Sequence, residues 1–201
     1  MRLAAAACAL LVAEATASGP TFTSSWASPD AGGVSFAGKK VAAIVISADQ
    51  NLRMSAEEQL ARELTARHSQ GVAAYRIIPR EETQSAERAR PWIERAGVAG
   101  VVALRPVSVE TERTYAPSVW SQANYSTLWG YYGYGWTSFY DPGGVREDTV
   151  LVVETLIYDV ARDKLVWAGV STTTNPKEAQ TFVTELVSAA VKEMKKQGLV
   201  K

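Results

Sequence analysis

Apolar residues along this chain come in short blocks separated by polar stretches with helical spacing. Val41 to Ile46 is one continuous apolar block, the pattern of a strand covered on both faces. Ser55-Ala56-Glu57-Glu58 reads as a capping box, opening a helix that places Leu60 and Leu64 on one face and is closed by Gly71. Val72 to Ile78 predicts a second strand, stopped by Pro79. The charged stretch 81–96 predicts a short helix and then another beginning at Pro91, because proline is tolerated at the first helical position; Gly97 ends it.

Val101 to Leu104 opens a third strand. From Val107 it alternates, with Val107, Val109 and Thr111 on one side and Ser108, Glu110 and Glu112 on the other, as a strand with one wet face does. Thr149 to Val160 and Lys164 to Thr174 predict a fourth and a fifth strand, joined through a hairpin connection over Asp159 to Asp163. Asn175, Pro176 and Glu178 are concordant start signals for a last helix. Phe182, Leu186, Ala189, Val191 and Met194 give that helix a broad apolar face.

This order predicts an α/β (α+β) fold, a mixed five-stranded sheet with helices packed on it. Residues 39–201 read as a single domain with a long insertion, 114–145, between strands three and four. Residues 18–38 precede it as an extended arm, expected to lay Phe22, Trp26 and Phe36 on the domain. A post-signal linker is the alternative for that composition.

The first residues change the picture of where the chain works. Arg2, the apolar run from Leu3 to Ala13 and the Ala15-Thr16-Ala17 pattern match a cleavable secretion signal over residues 1–17, which implies export to the periplasm. Eleven apolar residues fall well short of the roughly 20 that a spanning helix needs. Cys8 is the sole cysteine; it precedes that cleavage point, and a lipid attached there is the competing reading. A mature chain beginning at residue 18 has no thiol for disulfides, nucleophilic catalysis or zinc.

Charge removes another class. The 21 basic and 21 acidic residues cancel, and the signal takes one of each, Arg2 and Glu14. Nucleic-acid binders need a basic footprint, and none is visible.

The insertion carries the most information. Residues 114–140 hold no Asp, Glu, Lys or Arg, while ten of the chain's eighteen aromatic rings fall within 115–140. Trp120, Tyr125, Trp129, Tyr131, Tyr132, Tyr134, Trp136, Phe139 and Tyr140 form the candidate binding surface. Tyr and Trp combine an apolar body with a polar end, and glycines at 130, 133 and 135 suggest tight turns. Three readings stand open. The rings fold back onto one another or the sheet; they hold an envelope protein or another copy of the chain; or they meet a membrane interface or a glycan.

Catalytic chemistry finds little to work with. His68 is the sole histidine, expected in the last turn of its helix, where a cation suits the dipole. No Gly-x-Ser-x-Gly elbow is present. Ser47-Ala48-Asp49-Gln50-Asn51 follows the first strand without the glycines of a dinucleotide or phosphate loop, so no cofactor is expected. Asp141, Glu147 and Asp148 do not match a calcium loop, and no metal is expected. Asp49, at the carboxyl end of a buried strand, and Glu154, inside an apolar one, are the nearest to acid-base candidates.

Three stretches, Thr21 to Trp26, Trp129 to Trp136, and Asp159 with Asp163-Lys164-Leu165-Val166-Trp167-Ala168-Gly169, resemble those of small bacterial envelope lipoproteins bearing a domain of unknown function. The resemblance implies export and a Tyr/Gly-rich loop followed by a hairpin, and brings no catalytic residue. The sequence therefore suggests a non-enzymatic periplasmic envelope protein, possible outer-membrane association included, that binds through its aromatic loop. A carboxylate-dependent hydrolase of envelope components is the alternative.

Overall fold

The computed structural model describes residues 19–107, 120, 123–137, 150–176 and 178–197. Its strands are β1 (Thr21–Ala27), β2 (Lys40–Val45), β3 (Gln70–Ala73), β4 (Gly100–Val107), β5 (Val150–Asp159) and β6 (Lys164–Thr174). They form a single mixed sheet in the order β1-β6-β5-β4-β2-β3. β3, β2 and β4 run parallel, and β5, β6 and β1 add on antiparallel. The fold class agrees with the sequence reading, but the sheet has six strands where five were expected. The sixth is the arm: β1 pairs with β6, and the Phe22 ring meets Trp167 edge-on at 5.5 Å.

Among the described residues five α-helices cover the sheet: α1 (Gln50–Ala66), α2 (Ala86–Arg95), α3 (Ala123–Ser126), α4 (Leu128–Thr137) and α5 (Ala179–Lys196). Side chains alternate between the faces of a strand, and the core divides accordingly. Val41, Ala43 and Val45 of β2 pack with Leu60 of α1 and Leu186 of α5. Ala42, Ile44 and Ile46 pack with Ile93 of α2 and Leu128 and Tyr132 of α4. The continuous apolar block in β2 follows from this, because both of its faces are covered.

Several element boundaries differ from the sequence reading. α1 starts five residues before the Ser55 capping box, because the Asp49 carboxylate accepts the amides of Asn51 and Leu52 at 2.9 and 3.1 Å. β3 is short, since the Tyr75 amide turns to the Glu57 carboxylate at 2.7 Å as the chain enters a 3₁₀ turn over Ala74–Arg76. Gly71 lies inside β3 and does not close α1. α2 runs through Pro91, whose exposed ring forfeits one amide bond without ending the helix. Asn175 takes a left-handed φ of 50° and does not cap α5, which begins at Ala179.

His68 also sits differently. It follows α1 with a φ of 68°, and its carbonyl accepts the Gly38 amide at 2.7 Å. The alternation expected at 108–112, the candidate surface residues Phe139 and Tyr140, and the acidic residues Asp141, Glu147 and Asp148 lie outside the described residues.

The aromatic segment is helical. Leu128, Tyr132 and Trp136 recur every fourth residue on α4, and all three are buried. Gly135 lets this helix settle on the sheet: a Cβ there would stand 2.4 Å from Ile46 Cδ1 and 3.4 Å from the Arg105 side chain. Gly135→Ala is expected to destabilise the fold by up to about 2 kcal/mol, overpacking outweighing the gain of about 1 kcal/mol in helix propensity. Adding Ile46→Val removes the clashing methyl and should recover part of the loss. Urea unfolding of the two single variants and the double variant measures this; additive losses would refute it.

Candidate functional site

Two of the carboxylates that chemistry could use are held inside the fold by α4 and α1. Glu154 on β5 stands opposite Arg105 on β4 as a cross-strand partner. Their side chains are 0 and 2% exposed, with Arg105 Nε and Nη2 at 2.8 and 2.7 Å from Glu154 Oε2. Tyr131 donates its hydroxyl to Oε2 and Tyr125 to Oε1, both at 3.1 Å. The Arg105 guanidinium also faces the Tyr134 ring at 4.8 Å. Tyr158 donates to the Tyr125 carbonyl at 2.9 Å. Burial, and then the neighbouring Glu154 charge, push the Tyr131 and Tyr158 phenols well above their ordinary range.

These contacts fix where the aromatic segment sits. The rest of its hydrogen bonding does the same: Asp163, in the β5–β6 hairpin, accepts the Leu128 amide at 2.9 Å at the start of α4. Thr127 accepts the Gly130 amide at 3.1 Å, and Tyr132 donates to the Thr83 carbonyl at 2.6 Å. The loop and the hairpin that the sequence singled out separately are thus bonded to each other.

The candidate binding surface needs correction on this point. Trp120, Tyr125, Tyr131, Tyr132 and Trp136 are each no more than 6% exposed. They are interior because the uncharged segment closes over one face of the sheet, where apolar area is removed from water. Trp129 and Tyr134 are half-buried, Trp129 with the Arg90 guanidinium 5.6 Å from its ring. Phe139 and Tyr140 lie outside the described residues.

Glu57, on α1, was not singled out in the sequence. Its carboxylate accepts the Val45 amide at 3.2 Å and the Tyr75 amide at 2.7 Å, with Arg53 Nη1 at 3.9 Å. Burial, opposed by Arg53 and the two amides, pushes its pKa up to about 7. Asp49, the other nominated acid, is exposed and serves as the α1 cap.

An opening exists elsewhere. From β2 the chain passes through α1 on one face to β3, then through α2 on the other face to β4, on the far side of β2. The strand order reverses between β2 and β4, and at such a switch point the carboxyl ends of the strands leave a crevice where open α/β sheets take ligands. A cavity of about 230 Å³ lies there. Val45 and Ser47 line it from the end of β2, and Leu104 and Pro106 from β4. Leu52 and Ala56 of α1, Phe182 and Val183 of α5, and Val150, Leu151 and Val153 of β5 complete the walls, with Pro176 and Ala179. None of these residues is charged. Ser47 is 5% exposed and carries the one polar side chain among these residues.

A shallower groove of about 670 Å³ runs between residues 28–34 and the β5–β6 hairpin, past the ion-paired Asp159 and Arg162. Its lining mixes apolar residues with the charged side chains of Asp30, Asp159, Arg162 and Lys164. Among the described residues no group of three or more His, Cys, Asp or Glu side chains could hold a metal ion, and no helix is long and apolar enough to cross a membrane.

Fold and crevice together define a three-layer α/β/α protein with an apolar opening at its topological switch point. No protein-family model and no curated protein sequence matches the chain. Among solved structures it is similar to the PelC dodecamer from Paraburkholderia phytofirmans, at 15% identity and a TM-score of 0.46, over 85% of this chain and 94% of that one. A singly substituted PelC dodecamer from the same organism gives 17% identity and a TM-score of 0.44, over 87% of this chain and 97% of that one.

Proposed function

We propose that this chain is an exported, non-enzymatic binding protein of the bacterial cell envelope, and that its ligand enters the crevice between the ends of β2 and β4. The observation that carries the reading is the crevice itself, a cavity at the switch point whose described lining, from three strands and two helices, carries no charge. Export is supported by the signal pattern over residues 1–17 and by the resemblance to envelope lipoproteins. Hydrolysis by carboxylates needs an acid and a base reachable by substrate. Glu154 is closed in by Arg105, Tyr125 and Tyr131, and Asp49 is engaged at a helix start.

Ala179→Trp, on α5, should fill the crevice without disturbing the core, and Leu52→Trp on α1 serves as a second version. A thermal-shift screen of small compounds is expected to find ligands that raise the melting temperature of the parent chain but of neither variant. A screen across charged, polar and apolar compounds with no hit sensitive to these substitutions would refute the reading.

Contact with a protein partner or another copy of the chain is a second reading, favoured by the half-buried Trp129 stacked with Arg90 on the outer side of α2 and α4. Trp129→Ala would then weaken co-purification with envelope proteins while leaving crevice ligands unaffected.

A further inference from the structure

We infer that the crevice takes a neutral, medium-length aliphatic chain bearing one hydrogen-bonding oxygen, with the oxygen at Ser47. The inference rests on the reading of the crevice as a binding site and names what that site selects. The lining sets polarity: an anion or cation entering here would leave water and meet no opposite charge among the described lining residues, which is costly. Sugars and nucleotides would lose most of their hydrogen bonds for the same reason.

Volume sets length. At roughly 30 Å³ for a unit the size of a water molecule, a cavity of about 230 Å³ holds a chain of roughly eight methylene-sized groups. It is far too small for a helix of a protein partner.

Ser47 sets the polar end. Ser47 carries the one polar side chain among the described lining residues, so it is the point at which this wall can hydrogen-bond a ligand. It stands two residues beyond β2, beside the end of the strand. A ligand oxygen placed there can bond to this hydroxyl in place of water, while the chain runs along Leu104, Val153 and Phe182.

Calorimetric titration of the full chain with linear primary alcohols from 1-butanol to 1-dodecanol tests this. Affinity should rise about fourfold with each methylene and level off near eight carbons. Ser47→Ala should weaken 1-octanol by about fivefold and leave 1-chlorooctane unchanged, while Ala179→Trp should abolish binding of both. Equal weakening of both compounds by Ser47→Ala would overturn the assignment of the oxygen. If octanoate or a sugar binds in a manner blocked by Ala179→Trp and the alcohols do not, the crevice remains a binding site and the neutral-chain assignment falls. If nothing sensitive to Ala179→Trp binds, both fall together.

Discussion

Glu154→Ala is expected to cost about 3–5 kcal/mol of stability, the penalty for leaving a buried charge without its partner. Arg105 would keep its position at 2% exposure and lose the oxygen that two of its nitrogens share. The hydroxyls of Tyr125 and Tyr131 would lose their acceptor in the same step. Arg105→Met combined with Glu154→Leu removes both charges and should recover much of the loss, because an apolar pair of similar volume avoids the desolvation penalty. Tyr125→Phe and Tyr131→Phe should recover more in that background than they do alone. Urea denaturation across this series measures it. A loss below about 1 kcal/mol for Glu154→Ala would mean that the pair does not hold α4 to the sheet.

Stability should also fall as pH rises through neutrality, with Glu57 as the source. Its folded pKa of about 7 lies above the ordinary 4.5, so the fold prefers the protonated acid. The contribution is fully present below about pH 4.5 and is lost as pH climbs past 7. At about 1.4 kcal/mol for each pH unit between the two values, the whole effect is about 3 kcal/mol. Arg53 and the amides of Val45 and Tyr75 favour the anion, while Glu58 and burial oppose it. Glu57→Gln keeps the shape and removes the titration, so its unfolding free energy between about pH 5 and 8 should lack this slope. A parent profile that is flat, or one that rises with pH equally in both proteins, would contradict the assignment.

Much of the sheet was legible because burial on two faces writes itself as unbroken apolar sequence. Val41 to Ile46 and Val101 to Leu104 are such blocks, and the structure makes them β2 and β4. The aromatic segment was not legible as a helix. Gly130, Gly133 and Gly135 are poor helix formers, and they read as turns. The helix holds because tertiary contacts outweigh propensity: tyrosines reach Glu154, and Gly135 lets α4 approach Ile46.

Glu57 was hidden for a different reason. Its sequence neighbours Ser55 and Glu58 match a surface capping motif, and only the chain's return past Tyr75 gives it a second amide. The crevice could not be read either, since its walls come from β2, β4, β5, α1 and α5, whose neighbourhood is a property of topology. Asp49 and Glu154 were visible as candidates. What distinguishes a helix cap from a sealed ion pair is the set of contacts around each, and those are nonlocal.

The arm strand has a consequence for assembly. Among the described residues β1 pairs only with β6, and Thr23 bonds to a residue 147 positions further along. Pairings so distant in sequence are slow to close. Docking of the arm is therefore a late event, and a partly built domain exposes the outer edge of β6 to any other extended segment nearby. The same sequence that finishes the sheet in one molecule could begin an exchange between two.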